Sequence, residues 1–212
     1  SRLGQYYSVR LIFWVGNYPP FLIMETSTLT PPAERIVLSE ISWETYETLL
    51  KELSHRRLRL TYYQGLLEIM APSPEHEIYK EVLGRFAETI AEELEINIYP
   101  LGSTTYKKPK SSGAEPDKCF YITNINLVKG KKRLDLKKDP APDLVIEVDI
   151  TSFSTQRFQV YADLGVKEIW LYNGKSFKIY LLQDKSYILS EQSLAFPNLL
   201  LSEIATFLGK IE

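Results

Sequence analysis

Acidic side chains share one face of a strand-like segment at residues 143–150. Asp143, Glu147 and Asp149 lie at positions of equal parity, while the alternate positions are aliphatic. Three acids on one strand face repel each other, and such clustering suits a hard divalent cation. A half-exposed strand with solvated acids is the alternative, and for a generic amphipathic strand it is the commoner explanation.

A second acid favours a metal site over solvated acids. Asp117 follows a proline at the start of another predicted strand, as Asp143 does. Mg²⁺ prefers oxygen ligands, keeps several waters and usually takes one or two protein carboxylates, so one acid from each of two neighbouring strands is sufficient. Because such an ion can bind a phosphodiester oxygen and acidify water, we expect hydrolysis of a nucleic-acid backbone.

Basic residues are concentrated around Asp117. Ten lysines and arginines lie between positions 103 and 139, against four acidic residues, in a chain whose formal net charge is −2. A solvated loop is the usual explanation for such a run, but its position beside the proposed metal ligand favours contact with phosphates. We therefore expect DNA as the partner.

The elements that must position these residues alternate between helical and strand patterns. Helical spacing of apolar residues predicts helices at about 43–53, 74–94, 154–164 and 199–208. Strand patterns cover about 57–63, 66–70, 97–101, 104–108, 117–123, 143–150, 168–172, 177–182 and 187–189. Ser73 can cap the second helix, whose predicted core face consists of Ile78, Val82, Phe86, Ile90 and Leu94. This order predicts an α/β fold with a mixed sheet flanked by helices.

Three segments that contain these acids resemble a known family. Residues 113–122, 142–151 and 161–170 are similar to the Uma-two-type family of predicted restriction endonucleases, many of them cyanobacterial. Residues 73–77 and 101–105 resemble its earlier segments, so the similarity extends from about residue 36 to the C terminus. The resemblance implies a restriction-endonuclease-like fold of the PD-(D/E)XK nuclease superfamily. It also implies a Mg²⁺- or Mn²⁺-dependent endonuclease that hydrolyses DNA phosphodiester bonds.

The resemblance implies roles for individual residues. Asp117 corresponds to the first metal-binding acid and Glu147 to the second, with Asp143 on the same strand face as a supporting ligand. Two residues after Glu147 the superfamily motif has lysine where this chain has Asp149, and Arg157 stands where similar sequences carry a lysine on the next helix. Arginine can hold the scissile phosphate but is a poor proton acceptor. The alternative is a catalytically silent nucleic-acid-binding or assembly module with the nuclease fold.

Glu77 is a further acidic candidate for the active site. It lies at the start of the long helix, and in this fold an acid from the first core helix often reaches the metal. The alternative is that Glu75 and Glu77 only favour the helix N-terminus through its dipole. The sequence leaves both interpretations open.

The chain as a whole is long enough for one sizeable core, with 212 residues of which 44% are hydrophobic. We place this domain at residues 36–212, after an N-terminal extension or arm at residues 1–35. The single cysteine, Cys119, cannot form an intramolecular disulfide, so we expect a cytoplasmic protein. The apolar run at 11–24 contains Asn17 and two prolines and is too short to span a membrane. Residues 11–23 carry no charge, and we expect them to promote a homodimer.

Overall fold

Short strands and helices alternate along the chain in the predicted order, with three additional elements. The structure, a computed structural model, describes residues 34–208 apart from 103, 132–133, 151–154, 198 and 200. Residues 1–33, and with them the segment predicted to promote a homodimer, lie outside the described residues. The division into an arm and a domain therefore stays a prediction.

The bounds of the elements agree with the predicted ones to within a few residues. The helices are α1 (Trp43–Glu52), α2 (Pro74–Glu93), α3 (Ile125–Val128), α4 (Thr155–Leu164) and α5 (Leu201–Leu208). The strands are β1 (Glu34–Leu38), β2 (Arg59–Tyr63), β3 (Leu66–Ala71), β4 (Tyr99–Leu101), β5 (Tyr106–Lys108), β6 (Ser112–Ala114), β7 (Lys118–Tyr121), β8 (Leu144–Val148), β9 (Glu168–Tyr172), β10 (Phe177–Gln183) and β11 (Ser186–Ser190). The sequence patterns missed β1, β6 and α3.

The described strands form two sheets. The first has the order β1-β3-β2-β6-β5, with antiparallel pairings. The second has the order β11-β10-β9-β8-β7-β4, in which β8 and β9 are parallel and the other pairings are antiparallel. Helix α4 makes the crossover that a parallel pair requires. The predicted α/β fold with a mixed sheet flanked by helices is confirmed, and a second, antiparallel sheet accompanies the mixed one.

Helix α2 packs on one face of the mixed sheet through mostly small side chains. Leu83, Ala87 and Ala91 are buried in one cluster with Phe120 of β7 and Ile146 of β8. Small residues allow the helix backbone to approach the strands closely. The N-terminus of α2 is therefore held near the strands that contain the predicted acids.

The predicted apolar face of α2 is displaced from the observed one. Val82, Phe86 and Ile90 are only partly buried against the core, and Ile78 and Leu94 are 58% and 46% exposed. A strict four-residue repeat drifts around a helix of 3.6 residues per turn, so the two ends of the row turn toward solvent.

Helix α4 packs between the two sheets. Tyr161 and Leu164 are buried in a cluster with Val145 of β8, Ile169 of β9 and Tyr106 of β5. The helix ends at Gly165, whose positive φ of 86° is typical of a helix C-terminus. This placement brings the polar residues of α4 against both β3 and β8.

Two local signals fix the segments around the site. The β2–β3 hairpin turns at Gln64 and Gly65, which have φ values of 44° and 91°, as a two-residue hairpin turn requires. Ser73 caps α2 by accepting a hydrogen bond from the His76 backbone N–H at 3.2 Å, and Pro74 occupies the first turn. The cap fixes the start of α2 and thereby the position at which the His76 side chain is buried.

Across the residues that the structure describes, no helix combines the length and the apolar character needed to cross a membrane.

Candidate active site

Asp117 and Glu147 lie opposite each other on neighbouring antiparallel strands. The register of β7 and β8 pairs Lys118 with Ile146, and extending it by one residue, to Asp117 just before β7, places Asp117 opposite Glu147. Residues directly opposite in an antiparallel pair point to the same face of the sheet. Both side chains are buried, with 3% and 1% of each residue exposed. The two acids therefore form one carboxylate pair on the sheet face that α4 covers, and His76 at the start of α2 reaches Asp117.

Asp117 is held by donors from three elements. Its Oδ2 accepts a hydrogen bond from the Val148 backbone N–H at 2.9 Å and lies 3.0 Å from His76 Nε2. Arg59 Nη2 of β2 lies 3.7 Å from Oδ1. Burial opposes ionisation, but His76, Arg59 and the Val148 N–H outweigh it and lower the pKa of Asp117 below its ordinary value.

His76 lies between two carboxylates. Its Nε2 contacts Asp117, and its Nδ1 lies 3.4 Å from Glu77 Oε1; both contacts are ion pairs without well-directed hydrogen bonds. The residue is 1% exposed. Burial favours the neutral ring, but the adjacent Asp117, helped by Glu147 and Glu77, raises the pKa of His76 above its ordinary value. The surroundings of His76 thus favour the imidazolium more than water does.

Glu147 accepts hydrogen bonds from two residues of α4. Arg157 Nη1 donates to Oε2 at 2.7 Å, and the Tyr161 hydroxyl donates to Oε1. Burial and the neighbouring charge of Asp117 outweigh the favourable charge of Arg157 and raise the pKa of Glu147 to about 7. Burial next to this carboxylate also raises the pKa of the Tyr161 hydroxyl, so Tyr161 remains a donor.

Arg157 bridges Glu147 to a second buried acid. Its Nε and Nη2 lie 2.9 Å and 2.8 Å from Glu68 Oε1 of β3, and the residue is 4% exposed. Arg35 of β1 continues the series, with Nε 3.4 Å from Glu68 Oε2 and Nη2 donating to Asp149 Oδ2 at 2.9 Å. Asp149, which stands where the motif has lysine, is therefore the partner of an arginine.

These contacts form one buried network, which we call the acid cluster. Its members are Arg35, Arg59, Glu68, His76, Asp117, Glu147, Asp149 and Arg157. The cluster thus contains four acids, three arginines and one histidine. Within the described residues, no three His, Cys, Asp or Glu side chains are arranged to hold a metal ion.

Two of the predicted site residues lie outside the acid cluster. Asp143 is at the other end of β8, where Oδ2 accepts hydrogen bonds from the backbone N–H groups of Ile122 and Thr123 at 2.7 Å and 2.9 Å. Its Oδ1 lies 3.4 Å from Lys167 Nζ. Glu77 is partly exposed and pairs with Lys80 at the start of α2, reaching the cluster only through His76.

Several lysines of the basic stretch are already paired with acids. Among the residues that the structure describes, the pairs are Lys107 with Glu47, Lys108 with Asp163, Lys118 with Glu81 and Lys131 with Asp139. Lys132 and Arg133 lie outside the described residues. Because each of these lysines is next to an acid, the net positive charge available to attract a phosphate backbone is smaller than the number of lysines indicates.

The sequence patterns did not single out Glu68, Arg59 or Arg35. Glu68 interrupts an otherwise apolar strand, Leu66–Ala71, and a lone acid at such a position is the one signal that could have drawn attention to it. Arg35 lies in β1 and contacts Asp149. No sequence pattern predicted a role for His76, which precedes Glu77 in α2.

One protein family matches most of the chain. The family named Uma2 and described as "Putative restriction endonuclease" matches residues 43–207 of the chain. No curated protein matches. Among solved structures, the crystal structure of a putative nuclease belonging to DUF820 from Anabaena variabilis ATCC 29413 is similar to the chain, with 14% sequence identity and a TM-score of 0.49. That match covers 70% of this chain and 90% of the other.

Proposed function

The chain belongs to the Uma2 family of putative restriction endonucleases, and from this premise we propose that it hydrolyses DNA phosphodiester bonds with a divalent metal ion held by Asp117 and Glu147. The single observation that carries the proposal is the carboxylate pair itself. Two acids face each other across β7 and β8 in a buried position, and the charge of Asp117 helps to raise the pKa of Glu147. A pair of repelling carboxylates is a place where a cation is favoured.

The donor chemistry of the pair fits Mg²⁺ or Mn²⁺. Both cations prefer oxygen ligands, and Mg²⁺ commonly uses one or two carboxylates and completes its coordination with water. Asp117 Oδ1 lies 3.7 Å from Arg59 Nη2, which is longer than a hydrogen bond. Asp117 and Glu147 would hold the ion, which supplies a Lewis acid for a phosphate oxygen and makes water more acidic.

Other residues of the cluster orient these two acids. The Val148 N–H and His76 fix the Asp117 carboxylate, and the Tyr161 hydroxyl fixes Glu147. Carboxylates that are already oriented need less reorganisation when a cation and a phosphate bind. We assign His76 and Tyr161 as positioning residues because their described contacts are to the carboxylates.

DNA cleavage by the purified full chain tests the proposal. Supercoiled, linear and single-stranded DNA are incubated with Mg²⁺ or Mn²⁺, and the expected result is nicking or cutting that EDTA abolishes. Asp117→Asn and Glu147→Gln each remove a ligand charge without a large change in shape. By analogy with the loss of one essential active-site group, we expect each to reduce the rate by about 100-fold or more.

A matched exposed variant controls for nonspecific effects of the same chemical change. Asp184→Asn replaces an aspartate in the β10–β11 turn, where φ is 54°, with a residue that tolerates this backbone region. This variant should cleave like the wild type. Cleavage that persists at the wild-type rate in both Asp117→Asn and Glu147→Gln would exclude the proposed centre.

A second candidate function is a catalytically silent nucleic-acid-binding or assembly module with the nuclease fold. It is favoured by Arg157, which is buried between Glu147 and Glu68 and cannot act as a proton acceptor at neutral pH. The superfamily motif has lysine two residues after Glu147, but this chain has Asp149 there, paired with Arg35. That position therefore supplies no proton acceptor of the lysine type either. DNA binding without cleavage, unchanged by Asp117→Asn, would support this function and contradict the hydrolytic one.

A further inference from the structure

Arg157 places a positive charge at one of the two acids proposed to hold the metal ion. Its Nη1 lies 2.7 Å from Glu147 Oε2, in a position that is 4% exposed to solvent. Charges in such a position interact strongly because water screens them little. A divalent ion on Glu147 and the guanidinium on Glu147 would repel each other, so the two cations compete for this carboxylate.

Glu68 contacts Arg157 in a way that can hold the guanidinium group after its contact with Glu147 is broken. Two nitrogens of the guanidinium group, Nε and Nη2, already contact Glu68 Oε1, whereas only Nη1 contacts Glu147. Among the described residues Glu68 Oε2 accepts no hydrogen bond and has an ion-pair contact with Arg35 Nε at 3.4 Å, so it can still accept an N–H. Glu147 in turn keeps the Tyr161 hydroxyl as a donor. Separation of Arg157 from Glu147 therefore leaves neither residue without a partner.

From this arrangement we propose that Arg157 is a resident cation that competes with the divalent metal ion for Glu147, and that Glu68 is the acceptor that holds Arg157 aside. The proposal rests on the proposed function, because it assumes a metal ion at Asp117 and Glu147. It assigns Glu68 and Arg157 opposite effects on metal binding. Loss of the resident cation strengthens the binding of metal, while loss of its second acceptor weakens it.

Binding of Mn²⁺ to the full chain at pH 8, measured by electron paramagnetic resonance and calorimetry without DNA, tests the proposal. Arg157→Met alone removes the paired cation of buried Glu147 and one of the two arginines that contact Glu68, so it endangers folding. The double variant Glu68→Met/Arg157→Met removes one acid and one base together beside Met70, a change that is often tolerated. We expect the double variant to bind Mn²⁺ at least about tenfold more tightly than the wild type.

The single variant Glu68→Gln gives the opposite expectation. This substitution removes the negative charge of Glu68, so Arg157 interacts more strongly with Glu147. The affinity for Mn²⁺ should therefore fall several-fold. A merely structural role of the pair would not move affinity in opposite directions in the two variants. Thermal unfolding of each variant without metal verifies that it is folded.

Asp117→Asn, introduced into the wild type and the double variant, separates failure of this inference from failure of the proposed function. Tighter binding in the double variant that Asp117→Asn abolishes supports both. Equal binding in the wild type and the double variant, still abolished by Asp117→Asn, overturns the competition and leaves the metal site intact. If neither protein binds Mn²⁺, or Asp117→Asn has no effect, the metal site is wrong and the competition fails with it.

Discussion

Glu147 has its pKa raised to about 7, and this shift has a consequence for stability. In the unfolded chain a glutamate ionises near pH 4.3, so between roughly pH 4.5 and 7 the native state retains a proton that the unfolded state has lost. The contribution of this group is thus greatest at low pH and is lost as the pH rises through the folded pKa. Through this group, the free energy of unfolding changes by at most about 1.4 kcal/mol per pH unit.

Glu147→Gln removes this titration and tests its sign. We expect the unfolding free energy of the wild type, relative to Glu147→Gln, to decrease from pH 5 to pH 7 and to level off above that range. Urea denaturation at several pH values provides the measurement. The control is Glu75→Gln, at an exposed glutamate. This variant keeps Glu147 and should show the same pH dependence of the unfolding free energy as the wild type. A difference that is flat, or that increases with pH, would contradict the raised pKa.

The acid pair was predictable at the level of single residues because it depends on short-range rules. Strand parity places Glu147 on a defined face, and the repeated Pro-Asp start and the family resemblance identify Asp117. Glu68 and Arg35 were not predictable, because their positions depend on how the β2–β3 hairpin packs against α4 and how β1 pairs with β3. No local pattern in the sequence specifies these contacts.

At the scale of elements, Gly113 in β6 leaves room for Tyr46 of α1 to pack against the first sheet. A Cβ at this position would lie 2.3 Å from the Tyr46 hydroxyl oxygen and 2.8 Å from two ring atoms. Tyr46 is completely buried and stacks on Tyr62 with ring centroids 5.0 Å apart, so its ring has little room to move. We expect Gly113→Ala to lower the free energy of unfolding by about 1–3 kcal/mol in chemical denaturation.

Gly102 provides the matched control for this substitution. Within the part of the chain that the structure describes, a Cβ at Gly102 would meet no heavy atom within 4 Å. Gly102→Ala should therefore change the unfolding free energy by no more than about 0.5 kcal/mol. Equal effects of the two alanines would show that the close contact with Tyr46 does not determine the outcome.

Asp163 joins helix α4 to the β5–β6 hairpin. Its carboxylate accepts hydrogen bonds from Lys108 at 2.5 Å, Ser111 at 2.6 Å and Ser112 at 2.7 Å. Burial opposes its ionisation, but these three donors outweigh burial and lower the pKa of Asp163 below its ordinary value. The stabilising contribution is present at neutral pH and is lost as the pH falls through the lowered pKa.

Asp163→Asn should loosen this connection between helix and hairpin. The side chain is 21% exposed, so screening by solvent limits the expected loss to about 1–2 kcal/mol at pH 7. The difference from the wild type should shrink in acid, where the wild-type carboxyl is protonated. The measurement is thermal or urea unfolding at pH 7 and pH 3, and a loss that grows in acid would be inconsistent with the lowered pKa.

The long or strongly periodic elements were predictable, and the short ones were not. Residues 168–172 and the hairpin around Gln64 and Gly65 combine apolar strand patterns with clear turn signals. Strand β6 has only three residues, Ser112–Ala114, without a large apolar side chain, and it exists because β2 and β5 pair with it. Strand β1 is mostly exposed and gives no burial pattern.

At the scale of the whole molecule, β1 leaves apolar side chains at an edge of the first sheet. Its neighbour in that sheet is β3, and Ile36 and Val37 are 58% and 53% exposed. An exposed apolar edge strand is a template for pairing with another chain. This edge is a second candidate for self-association, beside the apolar residues 11–23 predicted from the sequence.

A homodimer is expected from either surface, and truncation distinguishes between them. Light scattering at micromolar concentration is carried out on the full chain and on a chain that starts at Met24. If residues 11–23 hold the dimer, the shortened chain should be a monomer; if β1 holds it, the shortened chain should remain a dimer. In the second case Val37→Lys, which adds a charge to the exposed edge opposite Glu68, should dissociate it. A monomeric full-length protein would contradict the homodimer itself.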